Sequence, residues 1–418
     1  MKIAVWHNLA SGGAKRALYY HVRGLVQRGH VLEAWCPPTA DRKYLPLTEL
    51  IPEHVIPFSW TAIRRHPFGH AMAAYRELIE NLGAMDRHCR ACADQINQRG
   101  YELLFANNCL FPRVTPIARY VRVPKVLYLQ EPNRSLYEAM PELPWVALPE
   151  PRGGRRSLRY LRRFLGNLVN VHRLRVLARE ELLNARAFDT ILANSFYSRE
   201  SILRAYGLDA KVCYLGVDTD LFVNQRRPRE QFVVGLGSID WHKRLDQVIL
   251  AIAQLPEPRP DLIWIANMAN PSLLEEMQQL ARSASVRFKA AVGINDQDVV
   301  DLLNRAAMLL YAPRLEPFGF APLEANACGL PVVAVAEGGV RETVVDGVNG
   351  LLVEDAPRAI AQAIQRLLAD PGYASRLGSA GQELVTRRWS LSASIDRLEQ
   401  RLTEALELPI ADTKASRS

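Results

Sequence analysis

Short apolar runs alternate with amphipathic stretches along nearly the whole chain, and the period of the pattern changes at each switch. Residues 2–6, 31–36, 103–106, 125–129, 190–193 and 211–215 read as buried strands, as do 232–237, 262–266, 286–289 and 306–312. Between them, residues 14–28, 70–98, 194–206, 245–255, 272–282 and 296–306 carry helical spacing. Continuous apolar strands interleaved with helices predict parallel sheets covered on both faces, an α/β architecture. Two stretches break the rhythm. Residues 37–67 are rich in proline and read as a long irregular connection, and residues 218–231 read as a linker before a fresh strand. The pattern predicts two α/β domains, 1–222 and 223–390.

At 418 residues the chain is long enough for two cores, and with 49% hydrophobic and 23% charged residues it reads as globular. No run approaches the ~20 apolar residues of a spanning helix, and the run 3–6 is too short for a signal sequence. A cytoplasmic location is expected. The six cysteines show no disulfide spacing. Cys89 and Cys92 form one CxxC beside His88, without the second pair that would complete a zinc site. The net charge of +8 and pI near 9.2 keep a nucleic-acid binder in view, although no zinc-finger or RNA-recognition motif accompanies the charge.

The densest chemistry lies in Glu316-Pro-Phe-Gly-Phe-Ala-Pro-Leu-Glu324, where two carboxylates bracket a glycine turn. A strand before it and a helix from Pro322 to Cys328 after it would place a helix N-terminus in the loop, with Pro322 at the first helical position and Gly329 just past the end. Free N–H groups at such a terminus favour an anion such as a diphosphate, and carboxylates accept hydrogen bonds from the hydroxyls of a sugar or ribose. Earlier, Gly12 and Gly13 follow the first strand and open a helix, a geometry that lets a phosphate approach backbone. Lys243 follows the strand 232–237 and would project where a diphosphate needs neutralising. Taken singly, each has a plainer reading: a tight turn, a surface lysine, a solvated carboxylate.

Read together, Glu316-Pro-Phe-Gly-Phe, Glu324-Ala-Asn-Ala-Cys-Gly-Leu-Pro-Val-Val, Glu337-Gly-Gly-Val-Arg-Glu-Thr and Asp346-Gly-Val-Asn-Gly resemble the donor half of retaining family 4 glycosyltransferases. Gly12-Gly13-Ala14, Ala193-Asn-Ser-Phe-Tyr-Ser198, Gly216-Val-Asp218 and Gly237-Ser-Ile-Asp-Trp-His-Lys243 agree in order, so the resemblance spans nearly the whole chain. It implies the GT-B fold, two Rossmann-like domains facing across a cleft, with donor on the second domain, acceptor on the first and the last helix, 391–408, returning to the first. It also implies Lys243 and Glu316 as catalytic residues. Donor binding would fall to Gly12, Gly13, Val292, Phe318, Gly319, Phe320, Ala321 and Glu324. Many members carry a histidine near position 130, where this chain has Gln130, and an arginine where it has Ser238. Arg244 could substitute for the latter.

The resemblance further implies transfer of a hexose, mannose being the first choice, from a nucleoside diphosphate sugar to a glycan or lipid-linked glycan. No cofactor is expected and no metal is expected to be required. An epimerase or phosphorylase of the same fold remains an alternative. Residues 152–179 hold nine arginines and no acidic residue, with Leu158, Leu161, Leu165, Leu168 and Val176 at helical spacing. Arg155, Arg159, Arg162 and Arg163 beside that stripe suit an anionic membrane surface, so a peripheral position on the inner face of the cell membrane is expected. Nucleic acid is not an expected partner.

Overall fold

The computed structural model describes residues 1–407 apart from 64, 65, 67, 68, 140–142, 144 and 148–157. The chain forms two compact units. The first comprises Met1–Asn194, Ser198–Cys213 and the chain from Leu398 onward; the second comprises Ser195–Tyr197 and Tyr214–Arg397. The division thus falls at Cys213, where the sequence pattern put it at 222, and the last helix, Leu391–Glu407, is shared between the units and not given whole to the first.

In the first unit, β1 (Lys2–Asn8), β2 (Val31–Cys36), β3 (Glu53–Val55), β4 (Leu103–Cys109), β5 (Lys125–Tyr128), β6 (Thr190–Ala193) and β7 (Lys211–Val212) make one sheet in the order β3-β2-β1-β4-β5-β6-β7. Every pair is parallel. Each return is therefore a crossover, made by helices except from β2 to β3 and from β4 to β5, where only the 3-10 turns Leu47–Glu49 and Pro116–Arg119 intervene. The core, with Trp6, Trp35, Leu104, Leu127 and Ala193, lies between the sheet and those helices, and β1 and β4 are buried almost throughout, as a doubly covered sheet requires. Strand β3 lies inside the proline-rich stretch read as irregular. Its residues Glu53-His54-Val55 make no apolar run, and it is recruited by the open edge of β2.

In the second unit, β8 (Phe232–Leu236), β9 (Asp261–Ala266), β10 (Phe288–Val292), β11 (Leu309–Tyr311), β12 (Val332–Val335) and β13 (Gly350–Val353) are ordered β10-β9-β8-β11-β12-β13, again all parallel. Strand β10 begins two residues later than the pattern suggested and runs to Val292, because it registers with β9 from Phe288↔Leu262 to Val292↔Ala266. In each unit the strand order reverses at one place, between β1 and β4 in the first and between β8 and β11 in the second. Loops leaving the carboxyl ends of such strand pairs diverge to opposite faces and leave a crevice for ligands.

Candidate active site

Lys243 follows β8 and Glu316 follows β11, so the two residues leave the strands that flank the switch point of the second unit. Their side chains meet there. Lys243 Nζ donates to Glu316 Oε2 at 2.7 Å, each side chain being 19% exposed. A short 3-10 turn, Trp241–Lys243, carries the lysine; Asp240 caps it by accepting from the His242 and Lys243 N–H groups. Gly237 lets the lysine lie across the backbone, since a Cβ there would stand 3.2 Å from Lys243 Cδ. Tyr311, at the end of β11, is buried and hydrogen-bonds Glu316; burial and the charges of Glu316 and Glu324 hold its hydroxyl well above the usual range, so it remains a donor.

The following helix, Phe320–Ala327, starts two residues earlier than Pro322 suggested, which makes Pro322 its third residue. Proline is tolerated there for the same reason, because N–H groups of the first turn have no intrahelical partner. Gly319 enters the helix at φ 88, a left-handed conformation that favours glycine, and no side chain caps the end. No acidic residue occupies the first turn, so the N–H groups around Phe320 and Ala321 end the helix without a neutralising carboxylate. Phe318 is buried against Phe320 and Trp389. Glu324 is buried at 3% exposure, one turn into the helix. At the other end, the Gly329 N–H bonds Asn326 O and the Leu330 N–H bonds Ala325 O, with Gly329 at φ 66, which closes the helix with a Schellman motif.

A second layer holds this loop, and sequence reasoning assigned it no role. Gly338 and Gly339 pack directly on the backbone of Glu316 and Pro317: a Cβ on Gly338 would lie 2.3 Å from Glu316 O. The Gly339 N–H donates to that same oxygen at 2.8 Å. Ser195 Oγ donates to Pro317 O at 2.5 Å, and Glu342 accepts from the Phe196 and Tyr197 N–H groups and the Tyr214 hydroxyl. Asn326 and Asn349 bond one another and the surrounding backbone, tying the helix to the turn before β13. The motif strings contain all these residues, but close approach between segments distant in sequence has no signal in local pattern.

Ser238 Oγ donates to Asp240, and Arg244 is engaged with Asp355 at 2.9 Å. Val292 ends β10, exposed at the carboxyl edge of the same sheet. Gly12, Gly13 and Gln130 belong to the first unit. Gly12, at φ 140, precedes the helix Gly13–Gln27 after β1, one of the two strands at that unit's switch point. The Gln130 N–H donates to Asn108 Oδ1 at 3.1 Å, and its carbonyl accepts from Ser198 Oγ at 2.7 Å.

Two Asp-x-Asp strings do occur, at 218–220 and 296–298, and both serve local structure. Asp218 accepts from the Asp220 N–H, while Asp296 and Asp298 lie in the first turn of the helix Asp296–Arg305. Among the described residues, His7, Cys36 and Glu53 could offer ligand atoms within 4.8 Å of one another. That cluster is already balanced: Glu53 accepts from His7 at 3.1 Å and from Arg42 at 2.8 Å. Burial would raise Glu53, but these donors hold it down at about 2, while burial keeps His7 neutral. Cys89 and Cys92 are buried thiols pushed up by desolvation, with Cys92 Sγ 3.4 Å from His88. The CxxC is core.

The helix Leu158–Ala185 carries Arg159, Arg162 and Arg163 on exposed positions; Arg155 lies outside the described residues. Leu158, Leu161, Phe164, Leu165 and Leu168 are all exposed, Leu158 at 82%. Val176 departs from that stripe and packs instead with Leu78, Leu136, Leu174 and Leu177.

Comparison with known proteins agrees with this geometry. Residues 217–384 match the family described as glycosyl transferases group 1. A D-inositol 3-phosphate glycosyltransferase of Xylanimonas cellulosilytica is 30% identical over 237 residues, 51% of this chain and 56% of its own length. A GDP-mannose-dependent alpha-(1-6)-phosphatidylinositol monomannoside mannosyltransferase of Mycolicibacterium smegmatis is 31% identical over 242 residues, 51% of this chain and 62% of its own. The chain thus spans little more than half the length of these curated relatives. Among solved structures, a glycosyltransferase from Rickettsia africae superposes with a TM-score of 0.68 at 15% identity, covering 98% of this chain and 100% of that one. Anabaena HepE in complex with UDP and glucose does so at 0.65 and 20% identity, covering 96% and 99%. These likenesses extend over both units, and the family match lies wholly within the second. The likeness to these solved structures shows the GT-B fold, and within it residues 217–384 of the second unit match the group 1 glycosyl transferases.

Proposed function

We propose that the protein transfers a hexose from a nucleoside diphosphate sugar to a hydroxyl of a glycan or lipid-linked glycan, with retention of configuration and without a metal. The observation that carries this reading is the Lys243–Glu316 pair at the switch point of the second sheet, beside an uncapped helix N-terminus. Lys243 and the N–H groups around Phe320 and Ala321 stabilise the departing diphosphate. Glu316 holds the sugar hydroxyls near the developing cation, Glu324 takes the ribose and Val292 adjoins the base. By the resemblance alone, Gly12 and Gly13 are assigned to donor binding and Gln130 to the sugar or acceptor side. The acceptor attacks the face from which the diphosphate leaves.

Mannose from GDP-mannose is the donor we propose. The Mycolicibacterium relative, named for GDP-mannose, supports it, as does the 34% identity over 174 residues with the mouse alpha-1,3/1,6-mannosyltransferase ALG2. The exposed leucines and arginines of the helix Leu158–Ala185 support a peripheral position on the inner face of the cell membrane. Among the described residues, no helix is long and apolar enough to cross a membrane.

Incubation with GDP-mannose, UDP-glucose and UDP-galactose in the presence of glycan and lipid-linked glycan acceptors tests the reading. GDP should be released in step with an α-linked mannoside. Conversion of the nucleotide sugar without an acceptor would identify an epimerase, and release of a sugar phosphate a phosphorylase. Tight, salt-sensitive oligonucleotide binding without any transfer would assign the arginines to nucleic acid.

A further inference from the structure

The exposed apolar side of the helix Leu158–Ala185 does not end in solvent. Leu161, Phe164, Leu168, Val171, Arg175 and Ala178 follow one another at alternating steps of three and four residues, which places them on one ridge. The first three are exposed. Val171 and Ala178 line a cavity of about 430 Å³, together with Leu174 on the same helix and Tyr137 and Trp145 from the preceding chain. A volume of that size falls in the range of small-molecule sites, roughly 300–1,000 Å³. Its polar contribution is Arg175, whose exposed guanidinium makes no ion pair among the described residues. Arg159, Arg162 and Arg163 are exposed on another face of the same helix.

An apolar track leading into an apolar cavity, with the cation of Arg175 at the cavity and without an ion pair among the described residues, is complementary to one kind of ligand: a hydrocarbon chain attached to an anion. We propose that this cavity receives one acyl chain of an anionic membrane phospholipid, with Arg175 meeting the phosphate. The proposal rests on the membrane reading above and deepens it. Surface attraction alone would hold the first unit against the bilayer, and a chain drawn along the ridge would fix which way the helix lies on it. A chain leaving the bilayer loses no apolar surroundings, since the ridge and cavity replace them, and Arg175 prevents the phosphate from being left unpaired.

Trp145 makes the cavity its own reporter. Vesicles of phosphatidylglycerol brominated along the acyl chain quench an indole that the chain touches, and the full-length protein carries seven tryptophans, so the Trp145→Phe variant isolates this one. The wild type should lose more fluorescence than Trp145→Phe. Ala178→Phe, which fills the cavity, should remove that excess while co-sedimentation with the vesicles is unchanged. Val171→Phe gives a second cavity-filling variant should the first fold poorly, and Arg175→Gln should weaken the excess quench selectively for phosphatidylglycerol over phosphatidylcholine. If the vesicles bind and Trp145→Phe quenches as fully as wild type, the cavity stays empty and the proposal fails while membrane docking stands. Excess quench that survives both filling variants would place Trp145 merely at the bilayer surface and likewise overturn it. Absence of co-sedimentation would remove both readings.

Discussion

The position of Lys243 illustrates how the site is made residue by residue. Asp240 turns the chain after β8, Gly237 leaves room for the aliphatic stem, and Glu316 receives the ammonium. Because both side chains are partly solvated, the ion pair itself contributes little to stability. In the proposed reaction, an incoming diphosphate would draw the lysine from the carboxylate and leave Glu316 open to the sugar. Lys243→Ala and Glu316→Ala should each lower kcat by roughly a hundredfold or more, with thermal stability nearly intact. Residues acting as a unit lose function non-additively, so the double variant should be at most about tenfold worse than the poorer single one. Steady-state kinetics of the four proteins checks this, and near-normal turnover in either single variant removes that residue from the mechanism. Lys243 and Glu316 were legible as charged residues following strand ends, which the alternation of strand and helix marks. Tyr311 and Gly237 were not, since their roles depend on what the folded chain brings against them. Asp240 and Asp355, the partners that Ser238 and Arg244 have found, are visible only in the folded chain.

At the scale of elements, the loop bearing Glu316 is clamped between its own helix and the segment after β12. The clamp works by contact between backbones, which is why it needs Gly338 at φ 61 and Gly339 beside it. Gly338→Ala would introduce a Cβ 2.3 Å from Glu316 O and 2.8 Å from Glu316 N, atoms that belong to backbone and cannot swing away. The left-handed φ adds roughly 1 kcal/mol of strain on its own. Transfer should therefore fall at least tenfold, beyond any loss of folded protein, with the melting temperature lowered; a folded variant with wild-type kcat would show that the loop is not held by this contact. The pair of glycines was visible as a motif, yet nothing in the string says which backbone it touches. Strand β3 escaped notice for a related reason: three residues with a single apolar side chain owe their strand state to the exposed edge of β2. The helix His70–Gln98 was read closely, since an amphipathic stretch repeats its signal over many turns, whereas Pro357–Ala369 and Pro371–Leu384 were not read.

For the molecule as a whole, alternation of strand and helix revealed two parallel sheets, but the strand orders and the place where each reverses emerge only from pairing. Both reversals lie where ligand-type residues follow the strands: Gly12 and Gly13 after β1, Lys243 after β8 and Glu316 after β11. The boundary between units was harder to read, because the chain from Tyr214 onward joins the second unit before the apparent linker begins. Charge is the other property of the whole. A net +8 draws the protein toward any anionic surface, yet orientation depends on where cations stand beside exposed apolar groups, and the helix Leu158–Ala185 joins the two. Near a membrane each basic residue contributes about 1 kcal/mol, so Arg159, Arg162 and Arg163 together account for about 3 kcal/mol, a factor of roughly a hundred in binding. Changing all three to Gln should lower co-sedimentation with phosphatidylglycerol vesicles by that factor, and raising salt should weaken the wild type in the same direction. Transfer to a soluble acceptor should persist in the variant, because these arginines lie outside the donor site. Equal sedimentation of both proteins with anionic and neutral vesicles, or none with either, would reduce the helix to a charged face of the first unit.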